Sequence, residues 1–364
     1  MQVLLTQENQ DFKLQVHNLL TSNFKDFKSI PLKDLWKLLY QKSFIKEDNS
    51  FLKNILLTEA VCKFSPGVGL FILTQFASIE IIKTFVRDSV REKHLKKMIS
   101  GDLISCFSIT ELNAGSDVTM IETIARKKDD KEWILNGHKI WASNASISDI
   151  IITFAQTKEL RDKTGITSFL IPTSLVSVSK DTPKLGVKIT PSNEIFIKDL
   201  TLSDENIIGS IGDGIKIALS SITLGRIFCA AQAVGLMDGI LAAAVNHSVQ
   251  RNQFGKSVSD FQSIKWYIAD MSKDLDAARL LLYKAAYIKD NNLNDLNLYS
   301  SMAKYFSTAA ARKHSANAVQ ILGGRGLIDD SYVSSAYRDS KVLEIYEGTN
   351  EIQKVILAKE LGLK

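Results

Sequence analysis

A carboxylate followed by a glycine lies near the C-terminus, in the run YEGTNEIQ at residues 346–353. A carboxyl group held beside an apolar pocket has a raised pKa and can accept a weakly acidic proton near neutral pH. The same run is also typical of a loop glutamate next to a glycine that ends one helix before another begins. Taken alone, Glu347 therefore has two interpretations, as a general base or as part of a helix boundary.

The chain divides into three zones that differ in their pattern of apolar and turn residues. Residues 1–104 have helical spacing of apolar side chains and contain no glycine before Gly67. Residues 105–212 alternate short β-rich runs with turn residues, which is typical of a small β-sandwich or barrel. Residues 213–364 are helical again and predict an antiparallel four-helix bundle. We therefore expect a segregated α+β fold with an N-terminal helical domain, a middle β domain and a C-terminal helical bundle, not an alternating βαβ fold.

Local signals give finer predictions within the zones. Ser65-Pro66-Gly67 and Ser100-Gly101 are expected to end helices. The pair Asn136-Gly137 lies between two β-rich runs, which predicts a hairpin turn. Helices are expected at 215–246, 259–289, 296–322 and 351–361.

Composition argues against several classes of function. The net charge of +5 is scattered and forms no stripe interleaved with aromatics, so nucleic-acid binding has no support. The three cysteines and five histidines are isolated from one another, which predicts no disulfide framework and no metal site. The N-terminus lacks signal-peptide features, and no apolar run is long enough to cross a membrane. We expect a cytoplasmic protein without membrane insertion.

Five segments together resemble the acyl-CoA dehydrogenase family, in the family's order and near its spacing. They are CFSITE with AGSD at 106–117, LNGHKIWASN at 135–144, RNQFG with DFQ at 251–262, QILGG at 320–324, and RD with YEGT at 338–349. The resemblance runs from about residue 50 to the end. It implies a helical, β and helical fold that binds FAD without a Rossmann domain and oxidises the α and β carbons of an acyl thioester to a trans-2-enoyl product.

The resemblance also implies which residues bind FAD. Trp141 would pack against the ring, and the Ser143 hydroxyl would serve the nitrogen that accepts hydride. Arg251, whose planar fork suits a diphosphate, would reach the FAD of a neighbouring subunit, so a homo-oligomer is expected, a dimer or a tetramer. The remaining residues assigned to the cofactor are Phe107, Ile109, Thr110, Ser116, Gln253, Phe254, Gln262, Gln320, Gly323, Gly324, Thr349 and Glu351.

By the same resemblance, Glu347 is the catalytic base, and Ser116, Arg226 and Gly348 contact the substrate. Some members of the family carry the base immediately before the residue that matches Arg226. This chain has Gly225 there, which cannot accept a proton, so Glu347 is the remaining candidate. An electron-accepting flavoprotein or another acceptor would reoxidise the cofactor.

Two alternatives stay open at this point. Residues 29–55, near the expected acyl entrance, contain one proline and no glycine, so the substrate could be a thioester on an acyl carrier protein instead of coenzyme A. A positively charged protein suits an acidic carrier. The other alternative is a flavin-binding relative without catalytic turnover.

Overall fold

Five helices form the N-terminal part of this computed structural model, which describes residues 5–27 and 29–363. They are α1 (Gln7–Asn23), α2 (Leu32–Gln41), α3 (Phe51–Cys62), α4 (Pro66–Phe85) and α5 (Asp88–Ser100). The two expected helix breaks are confirmed. The Ser65 hydroxyl accepts a hydrogen bond from the Val68 amide and Pro66 occupies the first turn of α4, while Gly101 ends α5 with a φ of 80°.

The middle part is one strongly connected sheet. Its strands are β1 (Ser105–Ser108), β2 (Ile124–Lys127), β3 (Glu132–Ser143), β4 (Ile150–Gln156), β5 (Ile166–Pro172), β6 (Ser177–Val178), β7 (Ser192–Ser203) and β8 (Ile207–Ile208). They follow the order β6-β7-β3-β1-β4-β5-β8, and β2 pairs with both β3 and β4. All pairs are antiparallel except β1 with β4 and β2 with β4. A separate apolar core around Trp133 and Phe169 fills this part.

The prediction of a hairpin turn at Asn136-Gly137 is wrong. Both residues lie inside β3, which continues through them and pairs with β7 on either side of an irregularity between Leu135 and Gly137. A Cβ on Gly137 would stand 2.2 Å from Thr123 Oγ1, so the glycine lets the neighbouring chain approach closely. Here Gly marks a bulge within a long strand and not a reversal of the chain.

The C-terminal part consists of α6 (Gly214–Gln250), α7 (Gln262–Asp290), α8 (Leu296–Leu322), α9 (Tyr332–Leu343) and α10 (Asn350–Glu360). Helices α6, α7 and α8 pack against one another, and α10 packs on α8. Helix α6 also contacts α3 and α4, so it lies at the centre of the helical layers. The helical, β and helical order is confirmed, whereas helix α9 had no counterpart among the sequence-based expectations.

Two helices are long and apolar enough to cross a membrane by composition alone, Pro66–Phe85 and Gly214–Gln250. In each of them 78% of the most apolar window is buried inside the protein. Both are core helices of this fold. The three cysteines, Cys62, Cys106 and Cys229, are buried and unbridged.

Candidate active site

Glu347 lies in the short connection between α9 and α10. Glu347 has a φ of 56° and Gly348 a φ of 81°, so two consecutive residues are left-handed. The Gln353 side-chain amide donates to the carbonyls of Glu347 (3.2 Å) and Gly348 (2.8 Å). Thr349 caps α10 by accepting from the Ile352 amide at 3.3 Å. The helix-boundary interpretation is thus correct, and the left-handed backbone is held by specific contacts.

The Glu347 side chain is half-buried and receives no hydrogen bond at its carboxylate from the described part of the chain. Burial raises the pKa of Glu347 to about 7, against the opposing effect of Arg226 and Lys304. A carboxyl group with this pKa exchanges a proton near neutral pH. Glu347 therefore has the pKa that a general base needs near neutral pH, and its role as the base stays a prediction.

Gly225 on α6 makes room for this carboxylate. A Cβ on Gly225 would stand 2.1 Å from Glu347 Oε2 and 2.5 Å from the carboxyl carbon. The two positions that the resemblance offers for a catalytic base therefore meet at one point in space, and only one of them carries a carboxylate in this chain.

Arg226 follows on the same helix and is 5% exposed. Its NH1 donates to Asn297 Oδ1 (2.6 Å) and Ser301 Oγ (3.4 Å), while its Nε is buried without a partner among the residues that the structure describes. Burial lowers the pKa of Arg226, and the nearby Glu347 opposes that shift. The arginine is thus a buried cation near the carboxylate whose Nε has no partner in the described part of the chain.

A second set of predicted residues lies where β1 meets β3. Phe107 is directly opposite Ser143 in the ladder. Trp141 is 58% exposed with a φ of 56°, and Ala142 between Trp141 and Ser143 is buried. An indole and a hydroxyl therefore lie on the outward side of β3, because the pairing with β7 shifts register between Lys139 and Ala142. Nearby, Ile109 is buried, Thr110 is half-buried and accepts at its carbonyl from the Ile140 amide, and Ser116 is exposed.

Sequence reasoning missed the ion pair that fixes this region. Lys139 Nζ lies 2.6 Å from Glu111 Oε1, and both side chains are buried. Lys139 also donates to the Phe154 carbonyl at 2.7 Å, and Glu111 accepts from Thr123 Oγ1 at 2.5 Å. Burial lowers the pKa of Lys139 to about 8, and Glu111 opposes this shift. Lys139 shares the inward phase of Trp133 and Leu135 on β3, a signal that could have revealed a buried cation.

A third set gathers at the far end of α6 and the end of α8. Arg251, Gln253, Gln262 and Gln320 are exposed, and Phe254 is 92% exposed with a φ of 53°. Gly323 and Gly324 have open space where a Cβ would lie. A cavity of about 280 Å³ lies here, lined by His247, Gln250, Arg251, Asn252 and Arg325.

Comparison with known proteins gives these features a context. The profile described as "Acyl-CoA dehydrogenase, middle domain" matches residues 106–200, and "Acyl-CoA dehydrogenase, C-terminal domain" matches residues 212–362. A short-chain-specific acyl-CoA dehydrogenase of Megasphaera elsdenii is 37% identical over 311 residues, which are 84% of this chain and 80% of that protein. The chain belongs to the acyl-CoA dehydrogenase family.

Solved structures of this family extend the likeness to nearly the whole chain. Butyryl-CoA dehydrogenase from Megasphaera elsdenii has a TM-score of 0.91 and 33% identity, and the match covers 98% of each chain. A prolyl acyl carrier protein oxidase has a TM-score of 0.92 and 26% identity, covering 99% of this chain and 100% of the other. The acyl-CoA dehydrogenase fold therefore includes the N-terminal helices, which neither profile match covers.

Acyl-CoA dehydrogenases are flavoproteins, and the exposed groups described above fit FAD. Trp141 and Phe254 are large aromatics left facing solvent at left-handed backbone positions. The Asn144 side chain, next to Ser143, is fully buried and neither of its polar atoms has a partner within the described residues. Arg251 and Gly323-Gly324 offer a guanidinium and open backbone, which suit a diphosphate. Thr349 and Glu351 lie at the start of α10, and the exposed Glu351 has a pKa lowered by backbone and Thr349 hydrogen bonds.

Proposed function

We propose that this protein is an FAD-dependent dehydrogenase that removes two hydrogens from the α and β carbons of an acyl thioester. The observation that carries the proposal is Glu347: a half-buried carboxylate with a pKa of about 7, accommodated by a glycine and flanked by two buried cations. The thioester would be oxidised to a trans-2-enoyl thioester.

Glu347 takes the α-proton in this scheme. Its raised pKa makes it a stronger base than an ordinary surface carboxylate, yet it remains largely ionised just above neutral pH. Arg226, buried and incompletely paired, keeps the ionised form accessible and limits the pKa shift. The left-handed turn at Glu347 and Gly348 fixes the direction of the carboxylate, which lowers the cost of reaching the reactive geometry.

FAD, when bound, would accept the hydride from the β-carbon. We assign the wall of its ring site to Trp141, Ser143, Phe107, Ile109, Thr110 and Ser116. Its diphosphate and distal parts would be held by Arg251, Gln253, Phe254, Gln262, Gln320, Gly323 and Gly324, with Thr349 and Glu351 near the active loop. Gly348 and Ser116 would face the substrate together with Arg226.

Arg226, assigned to the substrate, and Arg251, assigned to the diphosphate, lie far apart within a single copy of the chain. Arg226 and Arg251 are separated by 25 positions along α6, about 38 Å at 1.5 Å per residue. A flavin ring next to the substrate would therefore be out of reach of the Arg251 of the same copy. We propose that each site is completed by a second copy, in a dimer or a tetramer, in a cytoplasmic enzyme reoxidised by an electron-accepting flavoprotein.

Coenzyme A thioesters are the first candidate substrates, because the relatives with the higher identities are named for them. Thioesters on acyl carrier proteins are the second, favoured by the likeness to a prolyl acyl carrier protein oxidase and by the net charge of +5.

Anaerobic titration of the purified protein with both kinds of thioester tests the proposal. We expect a yellow protein that loses its flavin absorbance with a matching thioester, and a Glu347→Gln variant that keeps FAD but is not reduced. A Glu92→Gln variant, altered at an exposed position of α5 outside the proposed site, is the control for loss of a carboxylate. A colourless protein that cannot take up FAD, or rapid reduction of Glu347→Gln, would refute it.

A further inference from the structure

Lys304 on α8 is a fully buried cation beneath the loop that carries Glu347. Its side chain is 0% exposed. Its Nζ donates to the Glu344 carbonyl at 3.0 Å and to Asn350 Oδ1 at 2.9 Å. These two acceptors lie on either side of Glu347, at the end of α9 and the start of α10.

The two ends of the loop are also joined directly. The Asn350 amide donates to the same Glu344 carbonyl at 3.0 Å. Thr308, one turn along α8, donates to Asn350 Oδ1 at 2.9 Å. Lys304 therefore supplies one ammonium group to both ends of a closed turn, and α8 is the rigid element to which the turn is attached.

Burying an ammonium group is costly unless it gains hydrogen bonds or a nearby opposite charge. The hydrogen bonds of Lys304 go to two neutral oxygens of the loop, and no described carboxylate lies within ion-pair distance of its Nζ. The Lys304 charge therefore lies against the loop of residues 344–350, and the ionisable Glu347 side chain is at the middle of that loop.

We propose that Lys304 is a positioning residue of the active site, which clamps both ends of the Glu344–Asn350 loop and presents a buried positive charge to Glu347. This role rests on Glu347 being the base. Lys304 makes no contact with the substrate or cofactor in the proposal. It acts by holding the left-handed turn and by favouring the ionised carboxylate.

Several groups surround this pair and contribute to any titration. Glu347 is influenced by Arg226 on α6 and Lys304 on α8. Lys304 is influenced by Cys229 on α6 and by Glu347, Glu344 and Glu351. Cys229 and Tyr346 both have pKa values raised by burial above the physiological range, so neither changes charge near neutral pH.

The test compares Lys304→Met with Thr308→Val. Methionine keeps much of the apolar length of lysine and removes the charge. Valine removes a neutral hydroxyl that contacts the same Asn350 oxygen and the Lys304 carbonyl, and it leaves the charge in place. We expect Lys304→Met to raise the apparent pKa of flavin reduction by about one unit and to lower its limiting rate. Thr308→Val should lower the rate less and leave the apparent pKa in place.

A second readout does not depend on turnover. The infrared band of the protonated Glu347 carboxyl, identified by difference against Glu347→Gln, can be followed against pH in the FAD-loaded protein. The band should persist to higher pH in Lys304→Met than in the wild type. Should Lys304→Met fail to fold, Asn350→Ala keeps the charge and removes one acceptor. It should lower the rate without moving the apparent pKa.

The outcomes separate this role from the proposed function. Absence of thioester-dependent reduction in the wild type would refute the dehydrogenase itself. A wild type that is reduced normally, with a folded Lys304→Met variant of the same rate and the same pH profile, would overturn the role of Lys304 alone. If Asn350→Ala is the variant tested, a rate equal to that of the wild type would overturn it as well.

Discussion

The carboxylate of Glu347 occupies the volume that a side chain at Gly225 would fill, since a Cβ there would stand 2.1 Å from Glu347 Oε2. The two residues are far apart in sequence and belong to α6 and to the loop before α10. Their contact ties the position of the base to the central helix of the protein. It also means that the smallest possible substitution on α6 would displace the base.

Gly225→Ala is expected to separate activity from stability. Alanine is favoured over glycine inside a helix by about 1 kcal/mol, so thermal stability should be kept or slightly raised. The added methyl group would push the Glu347 carboxylate aside, and a shift of about 1 Å can lower the rate about a hundredfold. Stopped-flow reduction by thioester measures this. Addition of Glu347→Asp, which shortens the side chain, should relieve the overlap, whereas full activity of Gly225→Ala alone would contradict the geometry.

The rate of flavin reduction should rise with pH. Burial raises the pKa of Glu347 to about 7, and the base must be ionised to accept a proton. We expect the second-order rate constant to increase about tenfold per pH unit below pH 7 and to level off above it. A profile already flat between pH 5 and pH 6 would show that another group is the base.

The same carboxylate should destabilise the folded protein at alkaline pH. Its pKa is about 7 in the folded chain and about 4.3 when unfolded, so the unfolded chain releases the proton first as pH rises. Glu347→Gln should therefore gain stability over the wild type at pH 8, by at most about 4 kcal/mol, and little or none at pH 4. Urea unfolding of the FAD-free proteins at both pH values measures the difference. An equal difference at the two pH values would contradict the shifted pKa.

Lys139→Met should lower stability strongly because it leaves the Glu111 carboxylate buried without its cation. Removing one partner of a buried pair costs about 3–5 kcal/mol, whereas replacing both partners is far less costly. The double variant Glu111→Gln/Lys139→Met is therefore expected to unfold at a higher urea concentration than Lys139→Met. The opposite order would mean that the pair does not act as a unit.

Phe254→Ala should weaken FAD binding without unfolding the chain. The side chain is 92% exposed, so its removal leaves the cores of one copy intact. Loss of aromatic packing on a cofactor is expected to lower the affinity about tenfold, or about 1.4 kcal/mol. Val355→Ala serves as the control, because Val355 is an exposed apolar residue on α10 that is not assigned to the cofactor. Equal FAD affinity in all three proteins would remove Phe254 from the cofactor site.

The sequence was informative where one local signal decided the outcome. Spacing by two placed Trp141 and Ser143 on the same side of β3, although a register shift decides which side that is. Helix breakers placed the start of α4 and the end of α5. It misled at Asn136-Gly137, because the same dipeptide serves a tight turn or a bulge, and only the pairing of β3 with β7 decides between them.

Long-range partnerships were the part that the sequence could not supply. Lys139 and Lys304 read as ordinary surface lysines until the fold brings them to Glu111 and to the Glu347 loop. Their charges are stabilised by residues 28 and 46 positions away, respectively, along the chain. Periodicity can show that a lysine is turned inward, but it does not identify its counterpart.

Helix α6 spans 37 residues and carries Arg226 near its start, with Arg251 immediately after its end. If Arg226 lies at the substrate of the chain's own site and Arg251 holds a neighbour's FAD, cofactor binding and subunit assembly are linked by mass action. Diluting the holoprotein would then release its yellow pigment as the subunits part, and adding free FAD would draw them together again.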